Sequence, residues 1–206
     1  MKRLLTLVML AAAWTAGAQG TTEAILGYNA LNAISGQISG TAGWSFEVTN
    51  AVTVTELGCI ANVFTKNTDV TEVQIGMWAS SGTLLASSII RPTNSPVNLS
   101  LYGEVTPVLI GPGQTYYIGA YSSGTFFLDV LPPAAESSVT TSPVITSLAA
   151  AYSSGGFLSP LALPNTAGAA FLGPNFLYTG VPEPSASLLL GLGAVFLAAR
   201  RRIQRR

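Results

Sequence analysis

Any catalysis by this chain would fall to carboxylates. None of its 206 residues is histidine, which removes Ser-His-Asp and Cys-His arrangements, the usual zinc sites and the commonest general base. Phosphate-cradling glycine loops of the G-x-G-x-x-G or Walker type are also missing. A glycosidase needs two carboxyl groups facing each other across a cleft, and Glu47, Glu56, Glu104 and Asp129 are the acids available for that role. Their spacing pairs none of them. Strand alternation sets Glu47 on the face opposite Trp44, Phe46 and Val48, a solvated position. In KNTDVTE, Asn67, Asp69 and Glu72 offer oxygen atoms on a turn, but the glycine and the denser acidic spacing of a calcium loop are missing. A solvated turn is expected there. Cys59, the single cysteine, can form no internal disulfide, and its apolar strand setting predicts a buried small hydrophobe rather than a reactive thiol. No catalytic, metal-binding or cofactor-binding residue is assigned, and the chain is expected not to be an enzyme.

Two weaker signals concern ligands and modification. Trp44, Trp78, Tyr116, Tyr117 and Tyr121 could stack on sugar rings, as in a carbohydrate-binding module. Most of them occupy alternating strand positions, so core packing is the first expectation. Asn98-Leu99-Ser100 matches the N-glycosylation triplet but lies inside a strand pattern.

The elements that would position these residues are strands. From Gly43 to Tyr121 apolar residues recur every second position: Trp44, Phe46 and Val48, then Val52 and Val54, then Val73, Ile75 and Met77. In VTVTELGCI the apolar phase slips to Leu57 and Cys59, predicting a bulge near Glu56 and Leu57. Ser81-Gly82 sits between two apolar runs as a hairpin turn, and Gly111-Pro112-Gly113 separates a strand from the aromatic run TYYIGAY. Val97, Leu99 and Leu101 alternate with Asn98 and Ser100 as one more strand. Short strands with turn signals every eight to twelve residues predict an all-β, antiparallel two-sheet β-sandwich, jelly-roll-like. Residues 132–168 are rich in Ser, Thr and Pro and are read as a long loop, followed by a return strand in AAFLGPNFLYT.

Both ends of the chain differ from this middle. Lys2 and Arg3, the apolar stretch Leu4 to Trp14 and the Ala16-Gly17-Ala18 pattern form a signal peptide over residues 1–18, with Ala16 and Ala18 marking its cleavage site. Seven of the nine cations lie in the two end segments. Residues 19–180 therefore hold two cations, Lys66 and Arg91, against eight carboxylates, a net charge of −6. So acidic a domain lacks the cationic contacts that hold a phosphate backbone, and nucleic acid is excluded as a partner.

The C-terminal VPEPSASLLLGLGAVFLAARRRIQRR is either a permanent anchor or an address that is read and then removed. Ser185 to Ala199 gives about 22 Å of helix against a hydrocarbon core of roughly 30 Å, a short transmembrane span. Arg200, Arg201, Arg202, Arg205 and Arg206 follow it, which orients the C-terminus to the cytoplasm and the domain outside. Pro182 and Pro184 keep the preceding peptide extended and accessible.

The order of these three parts, V-P-E-P at 181–184, an apolar helix over 185–199 and an arginine cluster over 200–206, resembles the PEP-CTERM sorting signal of Gram-negative bacteria. The resemblance covers the 26 residues 181–206. It implies recognition by exosortase, a membrane protease-transpeptidase, with Pro182, Glu183 and Pro184 as the recognition residues and the five arginines as the cytoplasmic retention signal. It further implies transient residence in the inner membrane and a destination in the envelope or matrix beside exopolysaccharide and biofilm systems, while the N-terminal signal peptide makes signal peptidase a second maturation partner. The middle segments WSFEVTNAVTVTELG, VQIGMWASSGTLLAS, GPGQTYYIGAY and GPNFLYT are similar to an exported β-sandwich domain of unknown function that accompanies such tails. The expected role is that of a structural surface or matrix protein, with a carbohydrate-binding module as the alternative and a carboxylate-dependent glycosidase as a more distant one.

Overall fold

A computed structural model describes residues 20–28, 34–131, 139–167 and 170–181. The signal segment 1–18 and the apolar segment 185–199, expected as flanking helices, lie outside them. Among the described residues no helix is long and apolar enough to cross a membrane.

Thr21–Gly180 forms one compact unit, and it is built almost wholly of antiparallel strands. In chain order these are β1 (Thr22–Glu23), β2 (Ile25–Tyr28), β3 (Ile34–Val48), β4 (Val52–Ile60), a five-residue helix α1 (Asn62–Lys66), β5 (Val73–Ala79), β6 (Leu84–Ile90) and β7 (Ser95–Val97). They continue as β8 (Ser100–Ile110), β9 (Tyr116–Tyr121), β10 (Thr125–Leu131), β11 (Val139–Thr141), β12 (Ile145–Ser154), β13 (Leu161–Ala167), β14 (Ala170–Leu172) and β15 (Pro174–Gly180). One sheet runs β1-β15-β4-β8-β7. A second runs β13-β12-β3-β9-β5-β6, with β10 on β3 and β14 on β10, and β2 pairs with β11.

The alternation predicted from sequence fixes the interior. Trp44, Phe46 and Val48 of β3 face inward, as do Val73, Ile75 and Met77 of β5, and all are at most 2% exposed. Phe176 of β15 meets them from the facing sheet: its ring centroid lies 6.0 Å from Trp44, stacked, and 5.1 Å from Phe46. The Trp44 indole donates to the Pro174 carbonyl across the same gap at 3.0 Å, so the one polar atom of the largest core side chain is satisfied.

Local irregularities follow sequence signals with some displacement. The register of β4 slips between Val54 and Glu56, just before the expected position: Thr55 is the extra residue against β15, while against β8 it faces three residues, Val105 to Pro107. The bulge is what lets both Val54 and Leu57 point into the core. Gly82 closes the β5–β6 hairpin at φ 82, the left-handed region that glycine occupies at little cost.

Two expectations are corrected. Residues 132–168 are not one long loop: β11, β12 and β13 lie within them, and β12 pairs with β3 on one side and β13 on the other. Backbone pairing decides that segment, where composition suggested a turn-rich connection. Val97 to Leu101 is likewise not a single strand. Val97 pairs with Ser100 across a two-residue turn whose Asn98 has φ 49, a conformation asparagine tolerates better than most residues.

Candidate functional site

The acids considered for catalysis are dispersed, with one exception. Glu47 accepts a hydrogen bond from the Thr115 hydroxyl at 3.3 Å near one end of β3. Asp129 lies on β10, in register with Ser35 and Leu172. Glu56 and Glu104 are direct cross-strand partners on β4 and β8, so they share the outer face of the five-stranded sheet at close range. Partial burial, and then the charge of Glu104, raise the pKa of Glu56 above its ordinary value.

In the turn weighed against a calcium loop, Asn67 and Glu72 have protein partners and Asp69 is exposed. Asn67 is buried and its amide donates to the Val63 carbonyl at 2.6 Å. The Glu72 carboxylate pairs with Arg91 at 2.8 Å. Among the described residues no group of three or more Cys, Asp or Glu is placed to hold a metal ion. Cys59 is fully buried, and that burial pushes its thiol up to about 12, far from the range in which a thiolate attacks at neutral pH.

The aromatic candidates divide in the same way. Trp44 and Tyr116 belong to the interior between the sheets, Trp78 is buried on the opposite face of β5 with its ring 5.0 Å from Phe157, and Tyr117 and Tyr121 are half-buried. A row of rings open to solvent is therefore not formed by these five.

Sequence reading missed a polar cluster on the outer face of the five-stranded sheet. Glu23 of β1 is buried at 5% exposure. The Tyr102 hydroxyl donates to it at 2.8 Å, and the Asn98 amide is a second donor. Tyr102 belongs to β8, with β4 and β15 lying between it and β1. Its ring reaches across because Gly58 of β4 carries no side chain: a Cβ there would stand 2.4 Å from Tyr102 Cδ1. Burial, and then the bond to Glu23, hold the Tyr102 hydroxyl well above the usual phenol range, so it stays a neutral donor. Beside it Asn175 ties β15 to Ile25, accepting from its N–H and donating to its carbonyl, both at 3.0 Å. The clue in the sequence was a lone Glu at the fifth residue of the predicted mature chain, but nothing linked it to residues 75 and 79 positions away.

This cluster is a clasp between strands. The depression it lines, with Ile25, Leu26 and Leu99, has a volume of about 10 Å³, room for roughly one water and far too small for a sugar. A larger groove of about 280 Å³ lies between β6 and β8, lined by Leu84, Leu85, Ala86, Ser87, Val105 and Thr106. It contains no ionisable side chain, so acid chemistry and concavity do not coincide there.

The functional signal that remains is where the chain leaves the sandwich. Gly180, paired with Val52, is the last residue of β15, and Val181 is exposed. Pro182, Glu183, Pro184 and the arginines 200, 201, 202, 205 and 206 lie outside the described residues, as do Ala16 and Ala18. Among curated proteins none matches this chain. Residues 180–202, starting on that last paired glycine, match the family model of the PEP-CTERM protein-sorting motif. The chain thus carries a PEP-CTERM sorting motif, which implies an exosortase-sorted extracellular protein that reaches the cell surface through a membrane-anchored precursor.

Proposed function

We propose that the chain is a non-catalytic surface or matrix protein whose β-sandwich contributes to biofilm or exopolysaccharide structure after its tail has been read by exosortase and removed. In the precursor, residues 185–199 span the inner membrane, with Arg200 to Arg206 on the cytoplasmic side. Pro182, Glu183 and Pro184 form the recognition peptide, and signal peptidase has already cut after Ala18.

The observation that carries this reading is the match at residues 180–202, beginning where β15 ends. A folded body followed after only four residues by a short span is suited to brief tethering and release. The short apolar length, about 22 Å against roughly 30 Å, supports the transient role over a permanent anchor.

Intact-mass measurement on protein from the native envelope tests it. The resident form is expected to lack the residues from Ser185 onward. Glu183→Ala is expected to leave uncleaved precursor in the inner membrane. A resident form ending at Arg206 would sink the sorting reading and make the tail an anchor.

A further inference from the structure

One end of the sandwich is set apart by its chemistry. Gly180, Val52 and Ile110 mark a common level where β15, β4 and β8 end or begin. Loops 49–51 and 111–115 join that level to the same end of the facing sheet, at Val48 of β3 and Tyr116 of β9. Thr22 lies opposite Tyr178, so the described chain both enters and leaves the domain here. The loops at this end read TNA (49–51), SSGT (80–83), GPGQT (111–115) and SPV (142–144), with no ionisable residue among them. Glu47 of β3, half-buried, accepts a hydrogen bond from Thr115 of this end. Leu84, Leu109 and Val181, all exposed, stand at or beside the same rim. Lys66, Asp69, Glu72 and Arg91 belong to the connections at the opposite end, from β4 to β5 and from β6 to β7.

We propose that this end, whose loops carry no ionisable residue, is the surface that lies against the phospholipid headgroups while the chain is held as a tethered precursor. The inference rests on the reading of residues 185–199 as a membrane span. Four residues, Val181 to Pro184, separate the last paired residue from that span, a reach of about 14 Å at full extension. The headgroup layer is itself roughly 5 to 8 Å deep. The span itself falls about 8 Å short of the roughly 30 Å core, so only about 6 Å of that reach is left above the core, within the headgroup layer, and whatever the exit end displays must meet headgroups. A domain of net charge −6 brought against anionic lipid meets repulsion unless its carboxylates face away. Hydroxyl, amide and backbone groups at this end can hydrogen-bond phosphate and ester oxygens without that repulsion, and the apolar rim residues can enter the layer's inner part.

The test uses the full chain reconstituted in vesicles of phosphatidylethanolamine and phosphatidylglycerol containing a headgroup spin label. Single cysteines are introduced as Asn50→Cys, Ser81→Cys or Gln114→Cys at the exit end, and as Asp69→Cys at the far end. Each carries a fluorophore, and buried Cys59 stays unlabelled. Quenching is expected to be several-fold stronger at positions 50, 81 and 114 than at 69. Flotation with the vesicles after an alkaline wash reads the tether separately. A chain that floats but is quenched equally at all four positions, or most at 69, overturns the orientation and leaves the tether standing. A chain that is washed off overturns both.

Discussion

Glu56 and Glu104 are the residues most easily mistaken for a catalytic pair. Both lie on a sheet face, and neither lines either of the two depressions. Their proximity is better read as a small cost to the fold. The pKa of Glu56 is raised in the folded state by partial burial and by Glu104, so folding favours its protonated form. Its contribution is therefore most favourable below its ordinary value of 4.5 and is lost as pH rises through the raised value. Glu56→Gln removes the repulsion at neutral pH. The variant is expected to be more stable than the parent near pH 7 by roughly 0.2 to 1 kcal/mol, the range for cross-strand charge pairs, with the difference closing below about pH 4. Denaturant titrations of the exported domain at the two pH values measure this. A variant less stable at pH 7 would show that Glu56 makes a favourable contact that its repulsion does not outweigh.

At the level of strands, what could be read in advance was whatever obeyed a period of two. β3, β4 and β5 follow alternation with large apolar side chains, and the inward residues named for them are buried, whereas β9 was legible only as an aromatic strand. β12 was not. Its ITSLAAAYSS carries three successive alanines, and its register with β3 slips between Thr146 and Ala149, where Ser147 has φ 59. A bulge inside a small-residue strand erases the period, and only pairing with β3 and β13 defines the element. The opposite error arose at Asn98, where alternation ran on by chance through a turn. The clasp around Glu23 was invisible for another reason: it depends on which strands become neighbours. Gly58 shows how strict that dependence is, since a Cβ there would also stand 2.4 Å from the Leu101 carbonyl oxygen. The backbone cannot yield as a flexible side chain can, so Gly58→Ala must push β8 away from β4 or lift Tyr102 off Glu23. A loss of about 1 to 3 kcal/mol is expected, as for overpacking elsewhere, read as a lowered midpoint in thermal melts. An unchanged midpoint would mean that Tyr102 does not lie across β4 in solution.

For the molecule as a whole, the decisive fact is that the strand leading into the sorting motif is structural. β15 lies between β1 and β4 in the five-stranded sheet, and it contributes Phe176 and Tyr178 to the core and Asn175 and Pro174 to buried hydrogen bonds. Losing Phe176 alone would cost about 3 to 5 kcal/mol, against a total stability of about 5 to 15 kcal/mol for a domain. Removing the strand also separates β1 from β4 and uncovers Trp44 and Phe46. A sorting cut that spares the fold must therefore fall beyond Gly180, the last paired residue. Two truncated chains beginning at Gln19 test this consequence. One ending at Val181 is expected to unfold cooperatively at the midpoint of the domain in the intact chain. The other, ending at Gly173, is expected to show no cooperative transition by near-ultraviolet circular dichroism. Cooperative melting of the shorter chain would mean that β15 is dispensable, and the limit it places on where exosortase can cut would fall with it.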